Sequence, residues 1–231
     1  MSRKDKEKIF QLRNRSLISL TNPKSSVAEQ FRTVRTSIQF SSVDTDLRSV
    51  VVTSPNPEEG KSTITANLAV VFAQQGKRVL LIDSDLRKPT VHYTFHTENH
   101  VGLSNVLTRQ VTLQEAVKTS RQENLWVLTS GPIPPNPSEL LGSKGMNDLL
   151  DEVKNEYDFV IFDSPPVLAV TDAQVLANLT DGVVLVVSSG NTKIDSAKKA
   201  KELLESAKAK ILGVVHNNKK GQDTPYYYGE K

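Results

Sequence analysis

Short apolar runs alternate with amphipathic stretches along most of this chain. The apolar runs, rich in β-branched residues, lie at about 50–52, 79–82, 124–129, 157–162, 182–188 and 211–216. Segments of helical pattern lie at about 25–40, 62–75, 143–155, 172–178 and 193–208. Uninterrupted apolar strands are typical of sheets that are covered on both faces, and here they alternate with helices. The pattern therefore predicts an α/β fold with a mostly parallel central sheet between two helical layers.

Residues that end helices and form turns divide these segments. Gly76 stops the helix that begins near residue 62. Thr112 and Glu115 form a capping box within 90–120, a stretch for which we predict two short helices. Prolines recur through 130–137, so this stretch is a rigid loop and cannot be a central strand. The elements therefore form one three-layer domain with right-handed crossovers.

The composition fits a single soluble globular domain. The 231 residues are 37% hydrophobic and 24% charged, and cysteine is absent. No apolar run approaches the ~20 residues of a membrane span, and the basic N-terminus lacks an apolar signal core. We therefore expect a cytoplasmic protein. The net charge of +3 is small, so no nucleic acid is expected as a partner.

We divide the chain into a basic leader at 1–20, a folded domain at 21–216 and a tyrosine-rich tail at 217–231. The leader is either mobile and solvated, or in contact with an anionic membrane surface or an acidic partner. The tail contains three consecutive tyrosines, Tyr226, Tyr227 and Tyr228. They either pack on the domain as a latch or stay exposed for chemistry or recognition.

A phosphate-binding loop is predicted between the first apolar strand and the helix after it. Gly60, Lys61 and Ser62 stand where backbone N–H groups at a helix start can surround phosphate oxygens, and the helix dipole favours the negative charge. Lys61 would reach the β- and γ-phosphates, and the Ser62 hydroxyl would hold Mg²⁺. Pro55 occupies the position of the first glycine of the usual motif, so the match is incomplete.

Two further apolar strands end in carboxylates. Asp83 and Asp85 lie at the end of the strand at 79–82, and Asp163 follows the apolar strand at 157–162. Ligands of open α/β sheets bind at the carboxyl ends of strands, so we expect these side chains in the same crevice as the phosphate loop. The alternative is that they only cap loops.

One face of the predicted helix at 25–40 is charged. Glu29, Arg32 and Arg35 recur at spacings of three residues, which places them on one face. That face either belongs to a surface helix with one internal ion pair or docks on a neighbouring subunit.

The loop at 57–63, the stretches Leu80–Arg87 and Val160–Pro165, and the tyrosine tail together resemble a known family. This family is the bacterial tyrosine kinases of polysaccharide synthesis, often called BY-kinases, in the P-loop NTPase superfamily. The resemblance runs from about residue 20 to the end of the chain. It is nearest to cytoplasmic kinases of Gram-positive bacteria that act with a separate transmembrane activator.

The resemblance implies a role for each matching residue. ATP and Mg²⁺ are the implied cofactors, and Asp83 is the implied base that takes the proton of the attacking tyrosine. The implied catalytic set is Asp83, Lys61, Asp85 and Asp163. The implied nucleotide contacts are Glu59, Gly60, Lys61, Ser62, Thr63 and Arg87. The implied Mg²⁺ ligands are Ser62, Asp85 and Asp163, the phosphoacceptors are Tyr226, Tyr227 and Tyr228, and the oligomer contacts are Glu29, Arg32 and Arg35.

The same resemblance implies partners. The chain would assemble into a homo-oligomeric ring, an octamer by family resemblance, in which one subunit's tail enters its neighbour's site and is phosphorylated in trans. Other partners would be a transmembrane activator of the polysaccharide co-polymerase type, protein tyrosine substrates and a cognate tyrosine phosphatase. The implied function is regulation of capsule or biofilm exopolysaccharide synthesis by a kinase recruited to the inner face of the membrane.

One position departs from the family pattern. The family usually has glycine where this chain has Glu58, and a non-glycine residue at positive φ costs about 1–2 kcal/mol. A carboxylate there also repels a triphosphate, so ATP affinity is expected to be reduced. Two other functions stay open. One is a positioning or partitioning ATPase, whose signature lysine position is Asn56 here; the other is a regulatory subunit that binds nucleotide without transferring phosphate.

Overall fold

The computed structural model describes residues 16–41 and 46–219. In that part of the chain the strands are β1 Ser49–Thr53, β2 Val79–Asp83, β3 Lys118–Thr119, β4 Leu125–Leu128, β5 Phe159–Asp163, β6 Gly182–Ser188 and β7 Ile211–Asn217. The helices there are α1 Ile18–Thr21, α2 Ser26–Phe40, α3 Lys61–Ala73, α4 Val91–Phe95, α5 Leu103–Leu107, α6 Leu113–Ala116, α7 Pro137–Leu141, α8 Lys144–Glu156, α9 Asp172–Leu179 and α10 Ile194–Ser206. Across the described ranges, no helix is both long enough and apolar enough to cross a membrane.

The seven described strands form one sheet in the order β3-β4-β2-β5-β1-β6-β7. All neighbours pair in parallel except β3, which runs antiparallel to β4 at the edge. Every residue of β1, β2 and β5 is buried, as expected for β-branched and aliphatic strands covered on both faces. The predicted mostly parallel sheet is therefore confirmed.

Two apolar cores, one on each face of the sheet, hold the helices in place. Residues of α2, α3 and α4 pack on one face together with Val50 and Val52. Residues of α5 to α10 pack on the other face, where Val51 contributes. This alternation along β1 is the two-residue repeat of a strand. The stacked rings of Phe72 and Phe159, 4.0 Å apart, join α3 to β5 and so fix the helix that follows the phosphate loop.

The structure corrects two details of the predicted elements. Residues 91–116 form three short helices rather than two, and a two-residue strand follows them. The capping box is present, because Thr112 Oγ1 accepts from the Glu115 backbone N–H and the Glu115 carboxylate accepts from the Thr112 N–H. The sequence signals the cap of α6 but not the separate turn of α4, which tertiary contacts stabilise.

The folded domain is longer than the sequence indicates. The last residues of the predicted leader belong to α1, where the buried Ser19 donates its backbone N–H to Asn67 Oδ1 of α3 at 2.9 Å. At the other end β7 includes Asn217, the first residue of the predicted tail. Residues 1–15 of the predicted leader and the tail from residue 220 lie outside the described residues.

Candidate active site

The carboxyl ends of three adjacent strands bring the predicted site together. In the order β2-β5-β1, Asp83 and Asp163 are direct register partners. Neighbouring strands lie about 4.8 Å apart, so these two aspartates are close neighbours at one edge of the sheet. The loop after β1 leads into α3 at the same edge. The loop after β1 therefore lies at the same edge of the sheet as the two aspartates, and their joint use as one ligand site stays a prediction.

The phosphate loop requires glycine at residue 60. Gly60 precedes α3 with φ of 88°, a left-handed conformation that favours glycine. A Cβ atom at this position would lie 2.1 Å from Asn217 Nδ2. The 13-residue helix α3 is buried along most of its length, so its N-terminal N–H groups are held rigidly toward the crevice. Such a helix start is a ready anion site.

Glu58 has the backbone conformation that the sequence led us to suspect. Its φ is 64°, in the left-handed region, and its side chain is exposed. This conformation costs a non-glycine residue about 1–2 kcal/mol of free energy. The loop therefore carries local strain as well as an exposed carboxylate.

Lys61 lies among the carboxylates in this structure. Its Nζ is 3.2 Å from Asp85 Oδ2, 3.4 Å from Asp163 Oδ1 and 3.2 Å from Ser62 Oγ. The residue is only 9% exposed. Burial lowers the pKa of Lys61, but the charges of Asp163 and Asp85 outweigh it, so the pKa lies above its ordinary value. Lys61 is therefore charged and neutralises part of a buried acidic cluster.

Asp83 is oriented by backbone donors. Its Oδ2 accepts from the N–H groups of Thr90 and Val91, each at 2.9 Å, and its Oδ1 accepts from the N–H of Asp85 at 3.2 Å. Burial, assisted by the negative charge of Asp163, raises the pKa of Asp83 to about 7. A carboxyl group in this range can accept a proton at neutral pH, which is what a general base requires.

Asp163 differs from Asp83 in its hydrogen bonding. It is completely buried, and its Oδ2 has no hydrogen-bond partner among the described residues. Burial raises the pKa of Asp163, while the positive charge of Lys61 opposes the rise. A buried carboxylate oxygen without a partner is costly unless something binds it, so this atom marks a position for a ligand or cation.

Arg87 is held at the rim of the crevice by residues that the sequence did not single out. Its Nε and Nη2 donate to the two carboxylate oxygens of Asp172 at 2.9 and 3.1 Å, and Nη2 also donates to Ser138 Oγ at 3.1 Å. Asp172 is fully buried at the start of α9. In the sequence it resembles an ordinary acidic residue of a first helical turn, so only the bidentate pairing reveals its role.

The Glu59 carboxylate is hydrogen-bonded within the protein. It accepts hydrogen bonds from Asn56 and Thr192, so a direct nucleotide contact would come from the backbone of Glu59 rather than from its side chain. Thr63 lies in the first turn of α3, and its carbonyl accepts from Asn67 Nδ2 at 2.9 Å. Sequence reasoning missed Thr192 because nothing in its neighbourhood resembles a motif.

The charged face of α2 contains the predicted internal ion pair. Glu29 Oε2 and Arg32 Nη1 are 2.6 Å apart, and Arg32 Nη2 also donates to the Pro23 carbonyl. Arg35 turns toward α3 and donates to the Val71 carbonyl at 2.7 Å. Within one chain these groups therefore have partners. The predicted phosphoacceptors, Tyr226, Tyr227 and Tyr228, lie outside the described residues.

Comparison with known proteins relates this chain to an AAA-domain family and to tyrosine-protein kinases. A family described as an AAA domain matches residues 57–211. The tyrosine-protein kinase YwqD of Bacillus subtilis is 58% identical over 94% of this chain and 92% of its own length. A putative tyrosine-protein kinase, CapB, of Staphylococcus aureus is 44% identical over 90% of this chain and 92% of its own length.

Solved structures give the same result. The chimerical protein CapA2B2 superposes with a TM-score of 0.86 at 49% identity, covering 89% of this chain and 90% of that one. The kinase domain of the Escherichia coli tyrosine kinase ETK gives 0.84 at 34% identity, covering 93% and 85%. The septum site-determining protein MinD of Pyrococcus horikoshii, complexed with Mg-ADP, gives 0.62 at 24% identity over 73% and 69%. That last likeness is one of fold alone.

Proposed function

This chain belongs to the bacterial tyrosine-protein kinases, and from that premise we propose that it transfers the γ-phosphoryl group of ATP to tyrosine hydroxyls at the crevice described above. The observation that carries the proposal is the convergence of Lys61, Asp83, Asp85 and Asp163 beside a helix start that suits an anion. Phosphoryl transfer needs positioning and charge neutralisation more than covalent catalysis, and this site supplies both.

The residues present fit ATP with Mg²⁺. Hydroxyl and carboxylate oxygens are the ligands that Mg²⁺ prefers, and Ser62, Asp85 and Asp163 would hold it, with the unpartnered Asp163 Oδ2 among the available oxygens. Bound there, Mg²⁺ would neutralise charge on the phosphate oxygens. The backbone N–H groups from Gly60 to Thr63 would bind the phosphates. Lys61 Nζ now contacts Ser62 Oγ, Asp85 Oδ2 and Asp163 Oδ1, so it would turn to the phosphates when nucleotide binds.

Asp83 is the proposed base. A tyrosine hydroxyl has a pKa near 10 and is mostly protonated at neutral pH. As its oxygen forms a bond to the γ-phosphorus, the proton passes to the Asp83 carboxylate and the bond from phosphorus to the ADP oxygen breaks. Asp83 is fully buried, so the proton reaches it directly from an inserted tyrosine or through one water. Arg87, which Asp172 holds in place, would contact the nucleotide.

Replacing Glu58 with glycine is expected to tighten ATP binding. The change relieves a left-handed backbone at a non-glycine residue and removes an exposed carboxylate from the phosphate loop. We expect about tenfold tighter binding, because about 1.4 kcal/mol corresponds to a factor of ten. The dissociation constant for Mg·ATP is measured by titration calorimetry.

The matched control for this prediction is Glu58→Gln, which removes the charge but keeps a side chain at φ of 64°. An intermediate affinity in this control would assign the remaining gain to the backbone. Unchanged or weaker binding in Glu58→Gly would show that the loop has adapted to Glu58.

The acceptor is proposed to be the tail of a neighbouring subunit. Glu29 and Arg32 remain accessible on α2, with side chains 67% and 29% exposed, so they can exchange their internal ion pair for contacts with another copy. A ring of identical head-to-tail contacts would satisfy every such face. Each transferred phosphate adds about −1.5 to −2 charge to a tail beside a triphosphate site. Phosphorylated tails are then repelled, and the ring dissociates.

Phosphorylation in trans is tested by mixing two halves of the reaction, neither of which can label its own tail. One chain carries Lys61→Met and keeps its tail, and the other keeps Lys61 but has phenylalanine at 226, 227 and 228. We expect phosphotyrosine on the Lys61→Met chain after addition of Mg·ATP, detected by immunoblot and mass spectrometry. Light scattering should show large particles only before phosphorylation.

The control for the mixing experiment is each half incubated alone, which should stay unlabelled on the tail. An unlabelled mixture, together with wild-type labelling at a rate independent of concentration, would place transfer within one chain and exclude the ring.

The biological setting is proposed from the family resemblance. Tyrosine-protein kinase relatives with the names CapB and CpsD, and the chimerical CapA2B2, support a kinase that works with a separate membrane component. We place this chain in the regulation of capsule or biofilm exopolysaccharide synthesis, with a transmembrane activator that recruits it to the membrane and a tyrosine phosphatase that resets it. A peptide from such an activator should increase phosphotyrosine formation by the purified kinase.

A further inference from the structure

We propose that Glu59 is a positioning residue whose hydrogen bonds hold the phosphate loop to the ends of β6 and β7. Its partners are Asn56, Thr192 and Asn217, and we call these four residues the loop brace. The brace presets the loop for nucleotide and keeps the Glu59 carboxylate away from the phosphates that it would repel. The inference rests on the nucleotide-binding role proposed above for this loop.

The Glu59 carboxylate is buried among neutral donors. The residue is only 4% exposed. Its Oε1 accepts from Thr192 Oγ1 at 2.7 Å and from Asn56 Nδ2 at 3.0 Å, and its Oε2 accepts from the Asn56 backbone N–H at 3.2 Å. Hydrogen bonds to a buried charged group are stronger than neutral ones, and losing one leaves the cost of burial in place. The carboxylate therefore has a strong preference for this one position.

Thr192 connects the phosphate loop to the end of β6 by hydrogen bonds. Its hydroxyl donates to Glu59 and accepts the backbone N–H of Ser188, the last residue of β6, at 2.8 Å. The two ends of the Glu59–Thr192 contact are 133 residues apart in sequence. Because β6 pairs directly with β1, the Glu59–Thr192 contact links the loop that follows β1 to the end of the neighbouring strand.

Asn217 forms the second arm of the brace. Its Nδ2 donates to the Glu59 carbonyl at 2.9 Å, and its carbonyl accepts from the Ser189 N–H at 2.8 Å. The same amide lies where a side chain on Gly60 would have to be. Asn217 ends β7, so the brace connects the phosphate loop to the strand that leads into the C-terminal segment. Sequence motifs around residues 55–63 contain no sign of this connection.

The test compares Thr192→Val, which keeps the shape but removes the donor, with Thr192→Ser, which keeps the hydroxyl. Hydrogen–deuterium exchange of the nucleotide-free full chain is followed at residues 55–61, and the dissociation constant for a fluorescent ADP with Mg²⁺ is measured. We expect faster exchange at 55–61 and about tenfold weaker ADP binding in Thr192→Val. Exchange in β1, β2 and β5 should not change, and Thr192→Ser should match wild type.

A second pair of variants separates the brace from a general loss of stability. Glu59→Gln should loosen the same residues, and its combination with Thr192→Val should add little, because both changes act on one contact. If Thr192→Val fails to fold, Glu59→Gln alone carries the comparison with Thr192→Ser.

Equal exchange at 55–61 in wild type and Thr192→Val would overturn the proposal, as would full additivity in the double variant. If no form binds ADP but exchange at 55–61 still differs, the nucleotide-binding role is wrong and the brace itself is retained.

Discussion

Replacing Lys61 with methionine is expected to reduce tyrosine phosphorylation by at least about 10³-fold. Lys61 is the first residue of α3 and lies against Asp85 and Asp163, and we propose that it neutralises charge on the transferred phosphoryl group. Removing one such electrostatic group from an active site typically costs about 10²–10³ in rate, and loss of phosphate binding adds to this. Phosphotyrosine formation is measured with purified protein and Mg·ATP.

The same change is expected to destabilise the nucleotide-free protein. Methionine leaves Asp85 and Asp163 without the buried cation that now lies 3.2 and 3.4 Å from them. Removing one partner of a buried ion pair lowers the free energy of unfolding by about 3–5 kcal/mol, and the slight exposure of Lys61 favours the lower figure. The fold should persist, with a lower midpoint of chemical denaturation. Lys198→Met, on the exposed surface of α10, is the matched control and should change neither property.

The loss of stability should depend on pH in a defined direction. Burial raises the pKa of Asp163, so the folded protein holds a proton on this carboxyl more tightly than the unfolded chain does. The penalty for an ionised, unpaired carboxylate is therefore present at high pH and shrinks as pH falls through the raised pKa. The stability that Lys61→Met loses relative to wild type should be larger at pH 8 than at pH 5.

The prediction on activity has its own contrary outcome. Phosphotyrosine formation by Lys61→Met at the wild-type level would remove Lys61 from the mechanism.

Replacing Asp83 with asparagine is expected to remove transfer while sparing nucleotide binding. General-base catalysis contributes about 10²–10⁴ in rate, and an amide cannot take the tyrosine proton. The amide oxygen can still accept from the Thr90 and Val91 N–H groups, so the loop after β2 should keep its position. We expect the rate constant at saturating ATP to fall by about 10³, with less than about a threefold change in the dissociation constant for Mg·ATP.

Two further variants make the Asp83 prediction specific. Asp85→Asn should also change the dependence on Mg²⁺ concentration, because Asp85 belongs to the proposed metal ligands. Asp151→Asn, on the exposed face of α8, should behave as wild type. If Asp83→Asn weakened nucleotide binding as much as transfer, the residue would hold nucleotide rather than act as a base.

The strands, the main helices and the position of the candidate site follow from the sequence. Apolar β-branched runs such as Val50–Val52 can be buried only in a sheet covered on both faces, and the structure buries every residue of β1. Aspartates at the ends of such runs must meet at the carboxyl edge, and Asp83 and Asp163 are register partners there. Hydrophobic periodicity and the residues that end helices or form turns are local features, so they can be recognised in the sequence without the fold. Short helices such as α4, which has only five residues, leave too few positions for a pattern.

Only the tertiary structure decided which polar groups meet. Lys61 contacts Asp85 and Asp163, Arg87 pairs with Asp172 across 85 residues, and Glu59 bonds Thr192 across 133. A hydrogen bond between distant segments leaves no period in the sequence, because it needs one donor at one point rather than a repeating face. The same reason explains why the sequence assigns Asn217 to the tail, although its side chain donates to the Glu59 carbonyl. Burial also shifts pKa values, and it raises the pKa of Asp83 to about 7. Burial depends on how the sheet and helices pack, so the sequence alone does not show it.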